Sequence, residues 1–427
     1  MRKACPQDEW RVVPLAPECV TVFKSPDPER VSIAHPSVMV LKSGRAIVSA
    51  DLSGPGVKKL SGIKGRRYQS NHWVQGRMFV SDEGGESWSG LTEFPFCGAS
   101  LFRDGTSIYA LGHAGNLRIM RSYDGGSTWS KPEDLTPADD SGAFYVRGPG
   151  SVLAHEGNIY MAFMWLTDQQ RKGEAADALA PVIIRARAGS VLTKASAWTV
   201  SSPVKSFREV VPEDGLDFSG MPFLGRQAGR SGKRGGRRPP ALGWHQAHVV
   251  PVVADGPPGC FGKRCLLAAV RTHRGGYAAL ATVDESPGKL TVELVRAPSG
   301  KTWVFLPVPV GGAEFDILYD AESALYWLLG EQAVDSMAYA RRKGQGAPRD
   351  EHRRLQLHFS RNLVDWCFAG LVTVAAAPEV TFQQSRMAVR GKDLCIASCE
   401  TDGDAPRLKH PDLLTLRIVR DFRSLAY

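Results

Sequence analysis

Three histidines carry side chains suited to moving protons at neutral pH. His35 precedes Pro36, and His245 and His248 lie in the short segment GWHQAHVV. The imidazole group titrates near neutral pH, so each is a candidate pocket residue. A histidine hydrogen-bonded inside the core is the alternative. Trp244, next to His245, either forms a stacking wall for a ring-shaped ligand or packs in the core.

Charged and aromatic residues beside turns form a second group of candidates. Asp51 precedes a Ser-Gly-Pro-Gly turn, where it is either a general acid or a cap of the turn amides. Arg353 and Arg354 end the segment RRKGQGAPRDEHRR and are either anion ligands or part of a charged loop. Tyr145, in AFYVRGPGS, either lines a pocket or packs inside its sheet.

Short alternating apolar runs separated by turn sequences recur along the chain. HPSVMVLKSGRAIVSADL, GSVLAHEGNIYMAFMW and SRMAVRGKDLCIASCE each indicate a strand, a glycine-containing turn and a second strand. Such hairpin signals, with little helical periodicity, predict an all-β chain of antiparallel meanders.

One eight-residue phrase occurs twice. SDEGGESW ends at Trp88, and SYDGGSTW ends at Trp129, 41 residues later. The acid (Asp82 or Glu83 in the first copy, Asp124 in the second) can accept hydrogen bonds from turn amides, and the glycines allow a left-handed backbone. The tryptophans are expected to wedge between strands, so the phrase is interpreted as scaffold rather than as a catalytic motif.

The spacing of the phrase predicts the architecture. A period of about 40–50 residues that holds four strands is typical of a β-propeller blade. SRNLVDW, SAWTV and KTWVF, which contain Trp366, Trp198 and Trp303, are candidates for shortened copies. We therefore predict one propeller over residues 1–427, with six blades of four antiparallel strands, or five blades as the alternative. The pocket is expected in the central funnel, on the face opposite the repeated turns.

The repeated phrase resembles the Asp-box, or BNR repeat, of the sialidase (neuraminidase) superfamily. The order of HPSVMVLKSGRAIVSADLSGPG, ASLFRDGTSIYALG, both phrases, SAWTVSSPV, GGAEFDILYDAESALYWLLG and LLTLRIVRDFRSL is similar to that of bacterial sialidase-like proteins. The resemblance implies a propeller glycosidase: arginines bind a sugar carboxylate, a glutamate-assisted tyrosine attacks the anomeric carbon, and an aspartate acts as acid and base.

The resemblance also assigns individual residues. Arg271, and Arg354 with Arg353 beside it, stand where two of the three arginines belong, whereas His35 stands where the first arginine is absent. Asp51 lies slightly before the place of the acid/base aspartate.

Two glutamines mark a departure from the pattern. Gln246 stands where the glutamate is expected, and Gln384 lies near the place of the tyrosine. A carboxamide cannot activate a tyrosine or attack an anomeric carbon, so cleavage through a tyrosine nucleophile is not predicted for this chain.

The net charge of +9 is concentrated in GRQAGRSGKRGGRRPP, a glycine-rich segment with six basic residues and no acid. A disordered basic insertion over residues 225–240 explains it better than nucleic-acid binding. The eight cysteines include no Cys-x-x-Cys pair, so buried free thiols are preferred to a metal site. The chain shows no signal peptide or long apolar stretch, so we expect no membrane partner. A cytoplasmic location is expected on the sequence as given, and secretion if its N-terminus is incomplete.

These observations predict a sialidase-like exo-glycosidase acting on an acidic sugar or glycoconjugate, without a metal or cofactor. A catalytically inactive glycan-binding propeller is the alternative. The catalytic candidates are Asp51 and His35, and the substrate-binding candidates are Arg271, Arg353, Arg354, Gln246, His248, Tyr145, Trp244 and Gln384.

Overall fold

The computed structural model describes residues 12–66, 73–137, 144–147, 150–166, 179–204, 243–252, 264–271, 276–286, 289–296, 306–310, 314–332, 352–377, 379–402 and 410–427. The side chains of Arg147 and of residues 264–271 lie outside this description, as does the whole basic segment 225–240. The described residues form six separate antiparallel sheets. The predicted six-bladed, all-β propeller is therefore confirmed, and the five-bladed alternative is not.

The described secondary structure consists of short strands and three 3₁₀ turns, Val57–Lys59, Ala195–Ala197 and Phe422–Leu425. In chain order the strands are β1 Val20–Lys24, β2 Ser32–Val40, β3 Ala46–Ser53, β4 Gly65–Arg66, β5 Trp73–Ser81, β6 Ser89–Phe94, β7 Cys97–Asp104, β8 Ser107–His113, β9 Leu117–Ser122, β10 Glu133–Asp134, β11 Phe144–Arg147, β12 Val152–His155, β13 Asn158–Leu166, β14 Leu179–Arg187, β15 Trp198–Val200, β16 Gly243–Val250, β17 Arg264–Arg271, β18 Tyr277–Ser286, β19 Lys289–Leu294, β20 Leu306–Pro307, β21 Phe315–Asp320, β22 Leu325–Gln332, β23 Arg354–Ser360, β24 Cys367–Val374, β25 Phe382–Arg390, β26 Asp393–Glu400 and β27 Leu413–Val419.

Each sheet is one blade, and five blades are continuous in sequence. Blade 1 contains β2–β6, blade 2 β7–β10, blade 3 β11–β15, blade 4 β16–β20 and blade 5 β21–β24. Blade 6 combines β25–β27 with β1, whose Val20 pairs with Leu416. An early strand therefore completes the last blade and closes the ring, which removes an open edge.

The core is divided into six apolar clusters, one between each pair of neighbouring blades. Side chains alternate between the two faces of a sheet, and each blade is covered by a neighbouring blade on both faces. A strand inside a blade therefore buries the side chains of both its faces. In β3, for example, Val48 packs in the cluster between blades 6 and 1, and Ile47 packs between blades 1 and 2. This packing fixes the orientation of the inner strands around the central channel.

The two ends of each sheet present different groups. In blade 1, Asp51 at the end of β3 pairs with Gly76 of β5, whereas Ala46 at the start of β3 pairs with Ser81. Ser81 begins the first copy of the repeated phrase, so Asp51 and the phrase lie at opposite ends of the sheet. We call the end with Asp51 the channel face and the end with Ser81 the turn face.

Two further sequence predictions concern membranes and cysteines. Within the described ranges, no helix is long and apolar enough to cross a membrane. The cysteines in those ranges form no disulfide there; Cys97, Cys395 and Cys399 are buried, whereas Cys19 is exposed.

Candidate active site

Asp51 and His35, the two catalytic candidates, meet at the channel face of blade 1. A β-bulge at His35 and Pro36 interrupts the pairing of β2 with β3, and His35 has a left-handed backbone (φ 52°). This bulge turns the imidazole toward the channel end of β3, where His35 Nδ1 lies 2.9 Å from Asp51 Oδ2. The two predicted catalytic residues are therefore in direct contact with each other.

The Asp51 carboxylate has one fixed and one unused oxygen. Besides the His35 contact, Oδ2 accepts a 2.7 Å hydrogen bond from the backbone N–H of Gly98 in blade 2. Oδ1 is buried and has no hydrogen-bond partner in the part of the chain that the structure describes. The neighbouring turn amides of Gly56 and Val57 bond to backbone carbonyls instead, so Asp51 is not a turn cap.

Gln384 connects this pair to blade 5. It lies at the matching bulge of blade 6 and also has a left-handed backbone (φ 52°). Its side-chain oxygen accepts a 2.7 Å hydrogen bond from the His35 N–H, and its Nε2 lies 3.3 Å from Glu314 Oε1. Its own N–H donates to Glu331 Oε1 at 3.0 Å. Gln384 thus contacts both His35, the partner of Asp51, and the two glutamates of blade 5.

Glu314 and Glu331 carry the second set of carboxylates. Glu314 immediately precedes β21 and lies 3.4 Å from His245 Nε2 of blade 4. Glu331, near the end of β22, is bonded to His352 Nδ1. The Glu314 side chain is 18% exposed and the Glu331 side chain 5% exposed, so Glu314 is the more accessible base.

A buried polar cluster lies deeper along the inner strands. A guanidinium can only donate, so the Gln246 amide is assigned with its oxygen toward Arg386, and Arg386 then donates to that oxygen at 2.6 Å. Asp316 Oδ2 accepts a 2.7 Å bond from the Met387 N–H. His248 is fully buried, with Nδ1 3.8 Å from Asp316 Oδ1. Gln246 and His248 therefore belong to the channel floor, below the Asp51–Gln384–Glu331 network.

Burial sets the charge states in this cluster. It raises the pKa of Asp316 to about 6, and burial followed by the positive charge of Arg386 lowers the pKa of His248 to about 3. At neutral pH the imidazole is consequently uncharged and the carboxylate ionised. The Asp316–His248 contact is thus not an ion pair, and His248 is unsuited to shuttle protons there.

Two aromatic candidates pack in the interior. Trp244 is fully buried in the cluster between blades 3 and 4, so it is core rather than a stacking wall. Tyr145 is 4% exposed and contacts Phe163 and Trp165 in the cluster between blades 2 and 3. Among the described residues, Tyr145 makes no hydrogen bond or ring contact with the Asp51 network.

The three arginine candidates lie at the channel ends of their strands. Arg271 ends β17 opposite Gly243, and Arg354 begins β23 opposite Gln332. The Arg271 side chain lies outside the described residues, so the convergence of Arg271 and Arg354 on one anion stays a prediction. Arg353 Nε is buried and lacks a hydrogen-bond partner among the described residues.

The repeated phrases form hydrogen-bonded turns at the turn face. Ser122 Oγ accepts from Gly126 N–H at 2.9 Å, Asp124 Oδ1 accepts from Thr128 N–H at 2.8 Å, and Trp129 Nε1 donates to the Gly126 carbonyl at 2.9 Å. The hydrogen bonds to Thr128 lower the pKa of Asp124 to about 2.

The first copy corrects one assignment. Its acid is Glu83, which accepts from Ser87 Oγ, whereas Asp82 is exposed and pairs with Arg45 at 3.3 Å. Trp88 Nε1 donates to the Gly85 carbonyl at 3.1 Å, as in the second copy. Both tryptophans are half-buried at the edges of clusters between blades.

The shortened copies at Trp366 and Trp198 also form hydrogen-bonded turns. At Trp366 the serine bond persists, since Ser360 Oγ accepts from Leu363 N–H at 2.9 Å. Asn362 replaces the acid there and accepts from Asp365 N–H at 2.8 Å. Trp198 Nε1 donates to the Leu192 carbonyl at 2.7 Å. Trp303 lies outside the described residues.

Glu314, Glu331 and His352 were not among the sequence candidates. Glu314 immediately precedes an inner strand, in GGAEFDILYD, and an acid at such a position is the one local signal that could have identified it. Among the described residues, no group of three or more His, Cys, Asp and Glu side chains is placed to hold a metal ion.

Comparison with known proteins identifies the fold. No protein-family model matches the sequence, and no curated protein matches it by sequence. A protein of unknown function from Dyadobacter fermentans is 14% identical, with a TM-score of 0.54 and coverage of 96% of this chain and 99% of that chain. The Hadza microbial sialidase Hz136 is 14% identical, with a TM-score of 0.52 and coverage of 94% and 68%.

A third similar structure is the α-L-arabinanase of Penicillium chrysogenum, solved with arabinobiose. It is 11% identical, with a TM-score of 0.50 and coverage of 96% of this chain and 99% of that chain. At these identities the likeness shows a shared propeller fold and leaves the chemistry to the residues of this chain.

Proposed function

We propose that this chain is an exo-acting glycoside hydrolase whose substrate sugar binds at the channel face. The observation that carries the proposal is the Asp51 carboxylate, with Oδ2 held by His35 and Gly98 and Oδ1 buried without a partner among the described residues. A general acid needs such a fixed orientation and one oxygen left for the substrate.

The proposed reaction uses two carboxyl groups. Protonated Asp51 donates its proton to the glycosidic oxygen as the bond to the anomeric carbon breaks. Glu314, on the other side of Gln384, faces the developing positive charge and either attacks the anomeric carbon or takes a proton from the attacking water. Gln384, which is bonded to the His35 N–H and lies near Glu314, fixes the position of Glu314 relative to the Asp51–His35 pair.

The proposed substrate is an acidic sugar. Arg353 supports this choice, because its buried Nε has no acceptor among the described residues and a guanidinium matches a carboxylate. Arg271 and Arg354 are the proposed partners, since both lie at the channel ends of their strands. These cations would offset the negative charges of Glu314 and Glu331.

A panel of 4-methylumbelliferyl glycosides tests the proposal. It should contain a sialoside and two uronides as acidic sugars, and an arabinofuranoside and a glucoside as neutral ones. The arabinofuranoside and the sialoside are included because two structures of the same fold are named as an arabinanase and a sialidase. We expect release from an acidic member. Cleavage of neutral members alone would retain the hydrolase and refute the acidic substrate.

Asp51→Asn tests the acid directly. General acid catalysis contributes about 10²–10⁴-fold, so turnover should fall by that factor, and more steeply for an alkyl glycoside than for the activated aryl glycoside. Asp82→Asn, which changes an exposed acid on the turn face, is the matched control and should cleave like the wild type. Unchanged turnover of Asp51→Asn would refute the role of Asp51.

An inactive glycan-binding propeller is the second candidate. Gln246 favours it, because the Gln246 carboxamide is buried against Arg386 and offers no base. This candidate predicts that the wild type binds a member of the panel in calorimetry and releases no fluorophore from any member. Binding with cleavage would exclude it.

A further inference from the structure

A small apolar cavity lies between blades 2 and 3, and its described lining contains none of the carboxylates of the candidate active site. It encloses about 260 Å³ and is lined by Tyr145, Trp165, Val182, Val200, Pro203 and Thr136, among others. Tyr145 and Trp165 pair across β11 and β13, at the channel end of blade 3. None of the described lining residues carries a charge.

One polar group in this cavity is unused. Thr136 Oγ1 already accepts from the Leu117 N–H at 2.9 Å, and Ser201 Oγ accepts from the Ile183 N–H at 3.0 Å and donates to the Ser202 carbonyl. The Tyr145 hydroxyl, by contrast, has no hydrogen-bond partner among the described residues, although Tyr145 is only 4% exposed. The hydroxyl oxygen itself keeps access to solvent in the cavity, so an acceptor atom of a ligand can take its hydrogen bond in place of water.

The ionisation of Tyr145 defines the complementary group. Burial raises the pKa of the Tyr145 hydroxyl above its ordinary value. The phenol is therefore neutral at physiological pH and is available as a hydrogen-bond donor. A ligand oxygen that accepts a hydrogen bond matches it, whereas an anion would enter an apolar cavity without a cation to offset its charge.

We propose that this cavity is a second binding site, specific for an uncharged aromatic ring that carries one hydrogen-bond acceptor. The ring would pack against Trp165, whose plane is perpendicular to that of Tyr145 at a centroid distance of 4.8 Å, and its acceptor would take the Tyr145 hydroxyl. An apolar protein cavity of about 150 Å³ takes up benzene, so the volume here accommodates a ring with a small substituent. The proposal does not depend on the glycosidase assignment.

Three probes of similar size separate the elements of the proposal. Acetophenone has a ring and a neutral acceptor, ethylbenzene has a ring without an acceptor, and benzoate has a charged acceptor. Binding to the full chain is measured by saturation-transfer NMR and calorimetry. We expect acetophenone to bind about 3- to 10-fold more tightly than ethylbenzene, as one net hydrogen bond provides, and benzoate to bind weakest.

Two variants locate the binding. Tyr145→Phe keeps the ring and removes the hydroxyl, so acetophenone should weaken to the level of ethylbenzene. Val200→Trp, at a 39% exposed lining position, should fill the cavity and weaken acetophenone more than tenfold. Val191→Trp is the matched control, because Val191 is exposed on the same blade and does not line the cavity, and it should bind like the wild type.

Each contrary outcome overturns the proposal. These outcomes are the absence of binding for all three probes, equal affinity for acetophenone and benzoate, and acetophenone binding that survives Val200→Trp. Thermal unfolding of every variant accompanies the titrations. If Tyr145→Phe binds acetophenone as tightly as the wild type does, the assigned role of the hydroxyl is wrong.

Discussion

The turn face and the channel face are opposite ends of the same sheets, and they are built in different ways. At the turn face, the hydrogen bonds within each repeated phrase join near neighbours in sequence, such as Asp124 and Thr128, four positions apart. At the channel face the partners are distant: His35 and Gln384 are separated by 349 positions. Local sequence therefore determines the turns, whereas closure of the ring brings the candidate site together.

The largest expected change in stability tests the turn face. Trp129 is half-buried against the cluster between blades 1 and 2, and its indole N–H bonds to Gly126. Trp129→Ala should lower the free energy of unfolding by about 2–4 kcal/mol, somewhat less than for a fully buried tryptophan. Urea denaturation measures this, with sugar binding measured at low temperature.

The same turn offers a matched control for Trp129→Ala. Tyr123 is 71% exposed and contacts the Arg121 guanidinium at 3.8 Å from its ring centroid, so Tyr123→Ala should change the free energy of unfolding by no more than about 1 kcal/mol. If Trp129→Ala unfolds like the wild type but no longer binds sugar, the turn is part of a functional site and the contrast between the faces fails.

The contrast explains which features could be predicted from sequence. The repeated turns and the blade pattern depend on residues within one hairpin, so their spacing predicted the propeller. The ring closure by β1 was not predicted, because nothing local to Val20–Lys24 indicates pairing with β27. Likewise Asp82 and Glu83 were equivalent candidates until the structure placed Glu83 against Ser87.

The candidate site was only partly predictable for the same reason. Asp51, His35 and Gln384 were identified, and the structure brings them into one network. Glu331 and His352 were not identified. The role of a glutamate at a strand end depends on which distant residue packs against it, and the local sequence does not show this. Tyr145 and Trp244 each had two interpretations, pocket or core, because the sequence of a strand does not show which neighbouring blade covers it. Their burial in the structure shows that both belong to the core.

A second prediction uses the buried cluster on the channel side, where two groups respond to pH in opposite directions. The pKa of Asp316 is raised from 3.8 to about 6 in the folded protein, so its contribution to stability falls as pH rises through this interval. The pKa of His248 is lowered from 6.5 to about 3, so its contribution is lost as pH falls through that interval. In the wild type the two effects partly cancel between pH 4 and 6, the region common to both intervals.

Asp316→Asn should expose the histidine contribution. The variant should lose about 2 kcal/mol more than the wild type as pH falls from about 6 to about 4, in urea denaturation at fixed ionic strength. Arg386 and Glu314 also act on His248 and are unchanged by this substitution. Asp82→Asn, on the exposed turn face, should follow the wild-type curve. A parallel Asp316→Asn curve would show that Asp316 titrates normally.

The smallest expected effect separates local strain from packing between blades. Gly125 and Gly126 both have left-handed backbones, with φ of 70° and 88°, and alanine at either costs about 1 kcal/mol in backbone strain. A Cβ on Gly126 would lie 2.4 Å from Ile47 Cδ1 of blade 1, whereas the nearest atom to a Cβ on Gly125 is 4.0 Å away. Gly126→Ala should therefore cost about 1 kcal/mol more than Gly125→Ala in urea denaturation.

Ile47→Val removes the clashing methyl group, so in a double-mutant cycle it should cancel the excess for Gly126→Ala and leave Gly125→Ala unchanged. Equal losses for the two alanine variants would mean that the turn is held by local geometry alone and that blade 1 does not constrain it.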